Sequence, residues 1–461
     1  MAVLGAIMVP HPPLIVPEVG KGGERQIDLT RDSYLKAAEK IAELRPDTVI
    51  ISSPHSVLYS NYFHISPGAG ASGSFSAFGA PQVDIRVEYD EELAAAAGKL
   101  ASRAGVHAGP KGERDSSLDH GTLVPLYFIL QKFSDFRVVR TGLSGMDLES
   151  HYVLGRAFAQ AAEQTGRNIV WVASGDLSHK LQSYGPYGFA PEGPEYDSRL
   201  VDVCSRLAFG ELLDFDEDFC GRAAECGHRS FVMMAGALDG LALDGGILSH
   251  QDVTGVGYGV GIFIPRGPDP SRRFLDIRRE KKRKESLGQR SGCDAYVRLA
   301  WSSIESWVLR GERMRVPDDL PQELTGTQAG AFVSIHKNGE LRGCIGTIWP
   351  ASDTLAGEII NNAVSAAAKD PRFDPVRPDE LEFLEISVDV LGEPEDVSSV
   401  SQLDVRRYGV IVTSGARRGL LLPDLEGVDT PQQQVDIARR KAGIAPWEPV
   451  RLSRFEVIRH R

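Results

Sequence analysis

Val3-Leu4-Gly5-Ala6-Ile7-Met8-Val9 runs directly into Pro10-His11-Pro12-Pro13. An apolar, strand-forming stretch stops at a cluster of prolines, which lack the amide hydrogen that a sheet ladder needs. The same event recurs twice. Thr48-Val49-Ile50-Ile51 runs into Ser52-Ser53-Pro54-His55, and Ile169-Val170-Trp171-Val172-Ala173 runs into Ser174-Gly175-Asp176-Leu177-Ser178-His179. Each time an apolar strand ends, a histidine follows within a few residues. In an open α/β sheet, ligands bind in the crevice outside the carboxyl ends of the strands. Three imidazoles delivered to one sheet edge point to a metal site with a base beside it.

Working outward, residues 26–44 have the spacing of an amphipathic helix and lead through Arg45-Pro46-Asp47 into the second strand, as a βαβ unit requires. Residues 66–81, rich in Gly, Ser and Ala, read as a loop or ragged hairpin, and 85–87 as a short strand. Helices are predicted over 91–103, 124–133, 151–165, 196–209 and 229–241, with strands over 136–141, 168–173 and 255–264. The Gly/Pro/aromatic stretch 184–195 is long enough to form a lid or pocket wall. A breaker cluster at 265–270 and a strongly basic run from Ser271 to Arg290 then read as a solvated linker helix. Beyond it, interleaved helices and strands predict a second unit, with a hairpin turning at Asn338-Gly339. The fold expected is α/β: a mostly parallel N-terminal sheet with flanking helices and the site at its strand C-terminal edge, followed by a C-terminal α+β domain. The boundaries expected are 1–266, a charged linker over 267–290, and 291–461.

Composition narrows the function classes. The 461 residues carry a formal net charge of -12, which argues against nucleic acid as a partner of the whole chain. Five cysteines at irregular spacing, without a secretory leader, point to a reducing cytoplasm. No apolar run reaches the ~20 residues that span a bilayer, so no membrane association is expected.

The first two strands, joined by one helix, read as adjacent parallel strands about 4.8 Å apart, so that His11 and His55 can reach one ion. Glu225-Cys226 offers two kinds of third ligand. Two histidines with a carboxylate form the facial triad of non-haem Fe(II), whereas two histidines with a thiolate favour a softer ion such as Zn or Cu. A lone histidine in such a place more often caps a helix or packs in a wall, and the metal reading rests on the set. His179 is a natural general base, with Asp176 either orienting it or capping a following helix. His120, behind Asp119, is a second candidate for binding a substrate or an oxygen species. His64, His107, His151, His250, His336 and His460 lack a motif context and read as surface or structural. In the second unit, Leu341-Arg342-Gly343-Cys344-Ile345-Gly346-Thr347 places small residues around one thiol, whose pKa Arg342 could lower. A buried strand cysteine is the plainer reading.

These motifs carry two resemblances. His11-Pro12-Pro13, Ser53-Pro54-His55, Leu118-Asp119-His120-Gly121 and Ser174–His179 make residues 1 to about 266 resemble the class III extradiol dioxygenases, the LigB-type superfamily that includes Memo-like proteins. The resemblance implies His11, His55 and Glu225 as Fe(II) ligands, His179 as acid/base, and His120 in the substrate pocket. It implies a small catecholic substrate, cleaved by O₂ next to the diol. Glu225-Cys226-Gly227-His228 also resembles the Memo pattern, in which a cysteine falls at the third-ligand position and dioxygenase activity is not implied. Cys226 is then the alternative ligand, with Zn or Cu as alternative metals. Tyr184, Tyr187 and Phe189 are candidate pocket-shaping residues by proximity in sequence. Leu341–Thr347, the run from Asn361 to Phe373, Glu385–Val388 and Gly419–Pro423 make residues from about 290 to 461 resemble the AMMECR-type domain, AmmeMemoRadiSam system protein A. That resemblance implies a radical-SAM protein as partner. A homo-oligomer is left open.

Overall fold

The computed structural model describes residues 2–461 except Arg114, Asn338 and Glu426, and except the side chain of Gln289. The predicted turn at Asn338-Gly339 therefore lies partly outside the described residues. The chain divides into two units, Met1–Ile277 and Arg278–Arg461.

In the first unit, β1 (Val3–Val9), α1 (Asp28–Leu44) and β2 (Thr48–Ser53) come first. A hairpin of β3 (Gly70–Phe75) and β4 (Ala80–Glu88) precedes α2 (Glu91–Arg103) and α3 (His120–Leu130). Then follow β5 (Arg137–Gly142), α4 (Leu148–Thr165), β6 (Ile169–Ser174), α5 (Glu192–Ser205), α6 (His228–Ala237), β7 (Leu241–Gln251) and β8 (Tyr258–Pro268). The main sheet has the order β5-β2-β6-β1-β8-β7. The first four strands are parallel, and β8 and β7 close one side as an antiparallel pair. Strands β2 and β6 are buried throughout, because helices cover both faces. Alternation sends Ala6, Met8, Ile50 and Trp171 to the core under α2, α4 and α6. Ile7, Val9, Val49, Ile51 and Val172 go to the opposite core, where Tyr34, Ala37 and Ile41 of α1 and Leu123 and Leu126 of α3 pack.

Two expectations change here. β1 and β2 are not neighbours, because β6 lies between them and pairs with both. The histidines therefore meet over the end of β6 rather than across one inter-strand gap. Strand β7 was not anticipated. It is an edge strand, half-exposed and carrying Gly245-Gly246, so it shows neither a buried run nor a clean alternation.

Helix α7 (Phe274–Gly292) holds the basic run. The second unit contains α8 (Ala295–Arg310), β9 (Ala331–Lys337), β10 (Glu340–Gly346), α9 (Leu355–Ala368), β11 (Leu384–Leu391) and β12 (Glu395–Val397). It ends with β13 (Tyr408–Ser414), β14 (Arg417–Leu421), α10 (Pro431–Lys441) and β15 (Arg451–His460). Its antiparallel sheet runs β10-β9-β11-β15-β13-β14, with β12 pairing β15. Val333, Ile335, Ile386 and Val388 pack on α8 and α9, and Val410, Val412 and Leu421 pack on α10.

Candidate metal centre

Parallel strands β2, β6 and β1 end side by side, and each is followed by a turn carrying a functional side chain. His11 follows β1, His55 follows β2, and Asp176 and His179 follow β6. Helix α3 begins at His120, with Asp119 as its cap: the carboxylate accepts from the Thr122 amide at 3.1 Å. Asp119 also accepts from Ser53 Oγ at 2.6 Å, and that hydroxyl accepts from the His55 amide at 3.2 Å, which ties the His55 turn to α3. Cys226 lies just before α6. The amides of Cys226 and Gly227 donate to the Asp176 carbonyl at 3.4 and 3.1 Å. Only glycine permits this approach at position 175, since a Cβ there would lie 2.1 Å from Gly227 Cα.

The Nε2 atoms of His11 and His55 are 3.0 Å apart, and Cys226 Sγ is 3.7 Å from His11 Nε2. All donor atoms of His11, His55 and Cys226 lie within 4.8 Å of one another. Ring nitrogens bound at about 2.0–2.1 Å to one ion, at right angles, stand about 2.9 Å apart. A thiolate at about 2.3 Å from the same ion, at a tetrahedral angle, stands about 3.5 Å from such a nitrogen. The His11–His55 and His11–Cys226 separations fit ligands of one ion, and Cys226 and His55 belong to the same cluster.

The tautomers agree. Ser174 Oγ donates its only hydrogen to the Gly121 carbonyl at 2.5 Å, so towards His11 Nδ1, at 3.0 Å, it accepts. His11 is thus protonated on Nδ1 and turns the lone pair of Nε2 to His55 and Cys226. The imidazole of His11 is held neutral: burial, and then the neighbouring His55 and His120, lower its pKa well below the usual value. Burial likewise lowers His55 and His120. The Cys226 thiol is pushed up by burial and then by the Asp176 and Glu225 charges, although its sulfur accepts from the Asp176 amide at 3.3 Å. A cation at this place reverses that preference, because a coordinated thiol loses its proton.

Glu225 stands elsewhere. Its carboxylate accepts from the His228 amide at 2.5 Å at the start of α6. Burial pushes the carboxyl up to about 7. It is not among the clustered donors. Asp176 caps no helix. Its Oδ1 accepts from the His11 amide at 2.9 Å, and its Oδ2 lies 3.9 Å from His179 Nε2. His179 Nδ1 donates to the Ala224 carbonyl, which leaves Nε2 as the lone-pair nitrogen on the side of Asp176 and Cys226. His120 stacks beside His55, with ring centroids 4.0 Å apart, and meets Phe78 edge-on. Tyr187 meets His179 edge-on at 5.1 Å, and Tyr184, Tyr187 and Phe189 are all largely exposed.

Sequence reasoning missed the groups that hold this arrangement. Buried Arg140 bonds Glu113, donates to Ser66 Oγ at 2.7 Å, and donates to the Ser117 carbonyl at 2.7 Å, fixing the segment that leads to His120. Arg140 and Glu113 stand 27 residues apart in sequence, with no local signal linking them. In the second unit, Arg342 does not act on Cys344. Its guanidinium is spent on Glu380 at 2.9 and 3.1 Å, and burial pushes the Cys344 thiol up.

The sequence profile described as "Catalytic LigB subunit of aromatic ring-opening dioxygenase" matches residues 5–261, and that of AMMECR1 matches residues 297–460. Protein CA_C1420 of Clostridium acetobutylicum is 38% identical over 469 residues, covering 100% of both chains. A Thermotoga maritima protein is 51% identical over 172 residues, which is 37% of this chain and 99% of its own. The crystal structure of Pyrococcus horikoshii protein PH0010 shares 32% identity over 36% of this chain and 88% of its own, with a TM-score of 0.34. That of Escherichia coli K12 protein JW3007 shares 15% identity over 57% and 99%, with a TM-score of 0.37.

Proposed function

Because the chain belongs to the family of the catalytic LigB subunit of aromatic ring-opening dioxygenases and carries an AMMECR1 domain behind it, we propose that its N-terminal unit is a Memo-like metal centre in which His11, His55 and Cys226 hold one transition-metal ion. The observation that carries this reading is the mutual approach of the two Nε2 atoms and the sulfur. The donor set selects a borderline or soft ion, Zn or Cu ahead of Fe(II). Such an ion, when bound, supplies Lewis-acid or redox chemistry. Ser174 keeps His11 in the ligating tautomer. His179, with its Nε2 free of a proton, accepts a proton from a ligand hydroxyl bound at the centre. Asp176 stabilises the imidazolium formed. His120 stays outside the ligand set and faces the substrate. The AMMECR1 domain and a radical-SAM protein partner complete the system in this proposal.

A second reading is extradiol cleavage of a catecholic substrate by Fe(II) and O₂. It is favoured by the family and by two histidines, His120 and His179, that are not needed as ligands. Anaerobic loading of the full-length protein with Fe(II), Zn(II) or Cu(I), followed by O₂-uptake assays over a panel of catechols, separates the two. Stoichiometric loading without O₂ uptake supports the Memo-like centre, and uptake that is lost in His179→Ala at unchanged iron content supports ring cleavage. Failure of all three metals to bind refutes both.

A further inference from the structure

Asp197 of α5 is 2% exposed and serves two partners. One carboxylate oxygen accepts from the Ser178 amide at 2.8 Å, and the other binds His250 Nε2 at 2.6 Å. Ser178 immediately precedes His179. Other bonds of Ser178 and His179 go to backbone: Ser178 Oγ donates to the Ala223 carbonyl at 2.8 Å, the Gly257 amide donates to the Ser178 carbonyl at 2.8 Å, and His179 Nδ1 donates to the Ala224 carbonyl. Asp197 thus grips the Ser178 backbone with a buried charge, while Asp176 lies against the His179 ring from within the turn. The approach is built in, since a Cβ on Gly257 would lie 2.1 Å from Asp197 Oδ2.

We propose that His250 and Asp197 form a charge pair that positions the turn bearing His179, with His250 as the protonation-sensitive member. The inference rests on the reading of His179 as the proton-transfer group. The physical reason is the cost of leaving a buried carboxylate unpaired. While His250 carries its proton, Asp197 remains ionised and buried, and it holds the Ser178 amide. When His250 loses that charge, Asp197 is relieved by admitting water or taking a proton, and either change loosens its hold on Ser178. The charged groups acting on His250 are Asp197 from α5, which raises its pKa through the hydrogen bond, and Asp252 from the turn after β7, which raises it further; burial opposes both. Asp252 is itself held by Gln182, at 2.9 Å, from the segment just after His179. Burial pushes Asp197 up, and its two donors pull it back.

The test uses full-length, metal-free protein labelled with ¹⁵N-histidine. The solvent-exchange rate of the His179 Nδ1–H is measured by NMR in wild type, His250→Gln and His250→Lys between neutral and alkaline pH. His250→Gln is expected to exchange about tenfold faster than wild type at neutral pH, through easier local opening. His250→Lys, which restores the charge, should stay near the wild-type rate. The ratio of wild type to His250→Lys should rise as pH passes through the titration of His250. A role that is only structural would not produce this profile. Equal rates in wild type and His250→Gln, or a ratio flat with pH, overturn the proposal. His250 is partly exposed, at 31%, so its variants fold where an Asp197 variant could fail. Metal stoichiometry, measured separately on wild type, decides the metal reading independently of this outcome.

Discussion

Replacing Cys226 and replacing Glu225 should have opposite consequences, although the residues are adjacent. Cys226 Sγ lies with His11 and His55 in one donor cluster, whereas the Glu225 carboxylate caps α6 through the His228 amide. Structural zinc bound by four protein ligands has an apparent free energy of about 10–16 kcal/mol, roughly 3–4 kcal/mol per ligand. Cys226→Ser should therefore weaken Zn(II) or Co(II) binding by about 10²–10³-fold while leaving thermal stability of the metal-free protein nearly unchanged. Glu225→Ala should retain metal and lose a helix cap, which costs about 1 kcal/mol and lowers the melting temperature by roughly 2–4 °C. Competition with a chromophoric chelator under anaerobic conditions gives the affinities. Co(II) substitution gives a second signature, because a thiolate-to-cobalt charge-transfer band should be present in Glu225→Ala and absent in Cys226→Ser. If Glu225→Ala strips the metal and Cys226→Ser keeps it, the ligand assignment is wrong and the carboxylate triad is restored.

Metal affinity should rise with pH. The metal-free Cys226 thiol is held well above its usual range by burial, so binding the thiolate releases a proton, while His11 and His55 are lowered and already neutral. The logarithm of the apparent affinity should climb by about one per pH unit between roughly pH 6 and 8, as chelator competition across that range would show. Ser174→Ala removes the acceptor that keeps the proton on His11 Nδ1 and should weaken metal binding by about 10–100-fold without unfolding the protein, as read by the same titration and by circular dichroism. Arg140→Met leaves Glu113 buried without its partner and should cost about 3–5 kcal/mol, visible as a fall of roughly ten degrees in the thermal transition of the metal-free protein.

Much of the architecture was legible because it is written in local patterns. Apolar runs that stop at proline or a small polar residue marked β1, β2 and β6, and the 3.6-residue periodicity marked α1, α2 and α4. Strand β7 was not legible, because an exposed edge strand with Gly245-Gly246 satisfies no hydrophobic period. The insertion of β6 between β1 and β2 was not legible either. Strand order depends on which crossover the intervening helices take, and no single strand's composition encodes that.

The primary structure by itself determined that His11, His55 and His179 end up at one rim, since the residues after parallel strands emerge on the same side of a sheet. It put Glu225 in the ligand set with Cys226 as its alternative, because both types ligate metals and they are adjacent in the chain. Tertiary structure separated them. The Asp176 carbonyl draws in the amides of Cys226 and Gly227, Gly175 lets the backbones meet, and the Glu225 side chain is consumed by the first turn of α6. Only the folded chain could bring His250, 71 residues away, towards the turn of His179 through Asp197, because that chain of contacts joins a helix, an edge strand and a loop by packing rather than by spacing.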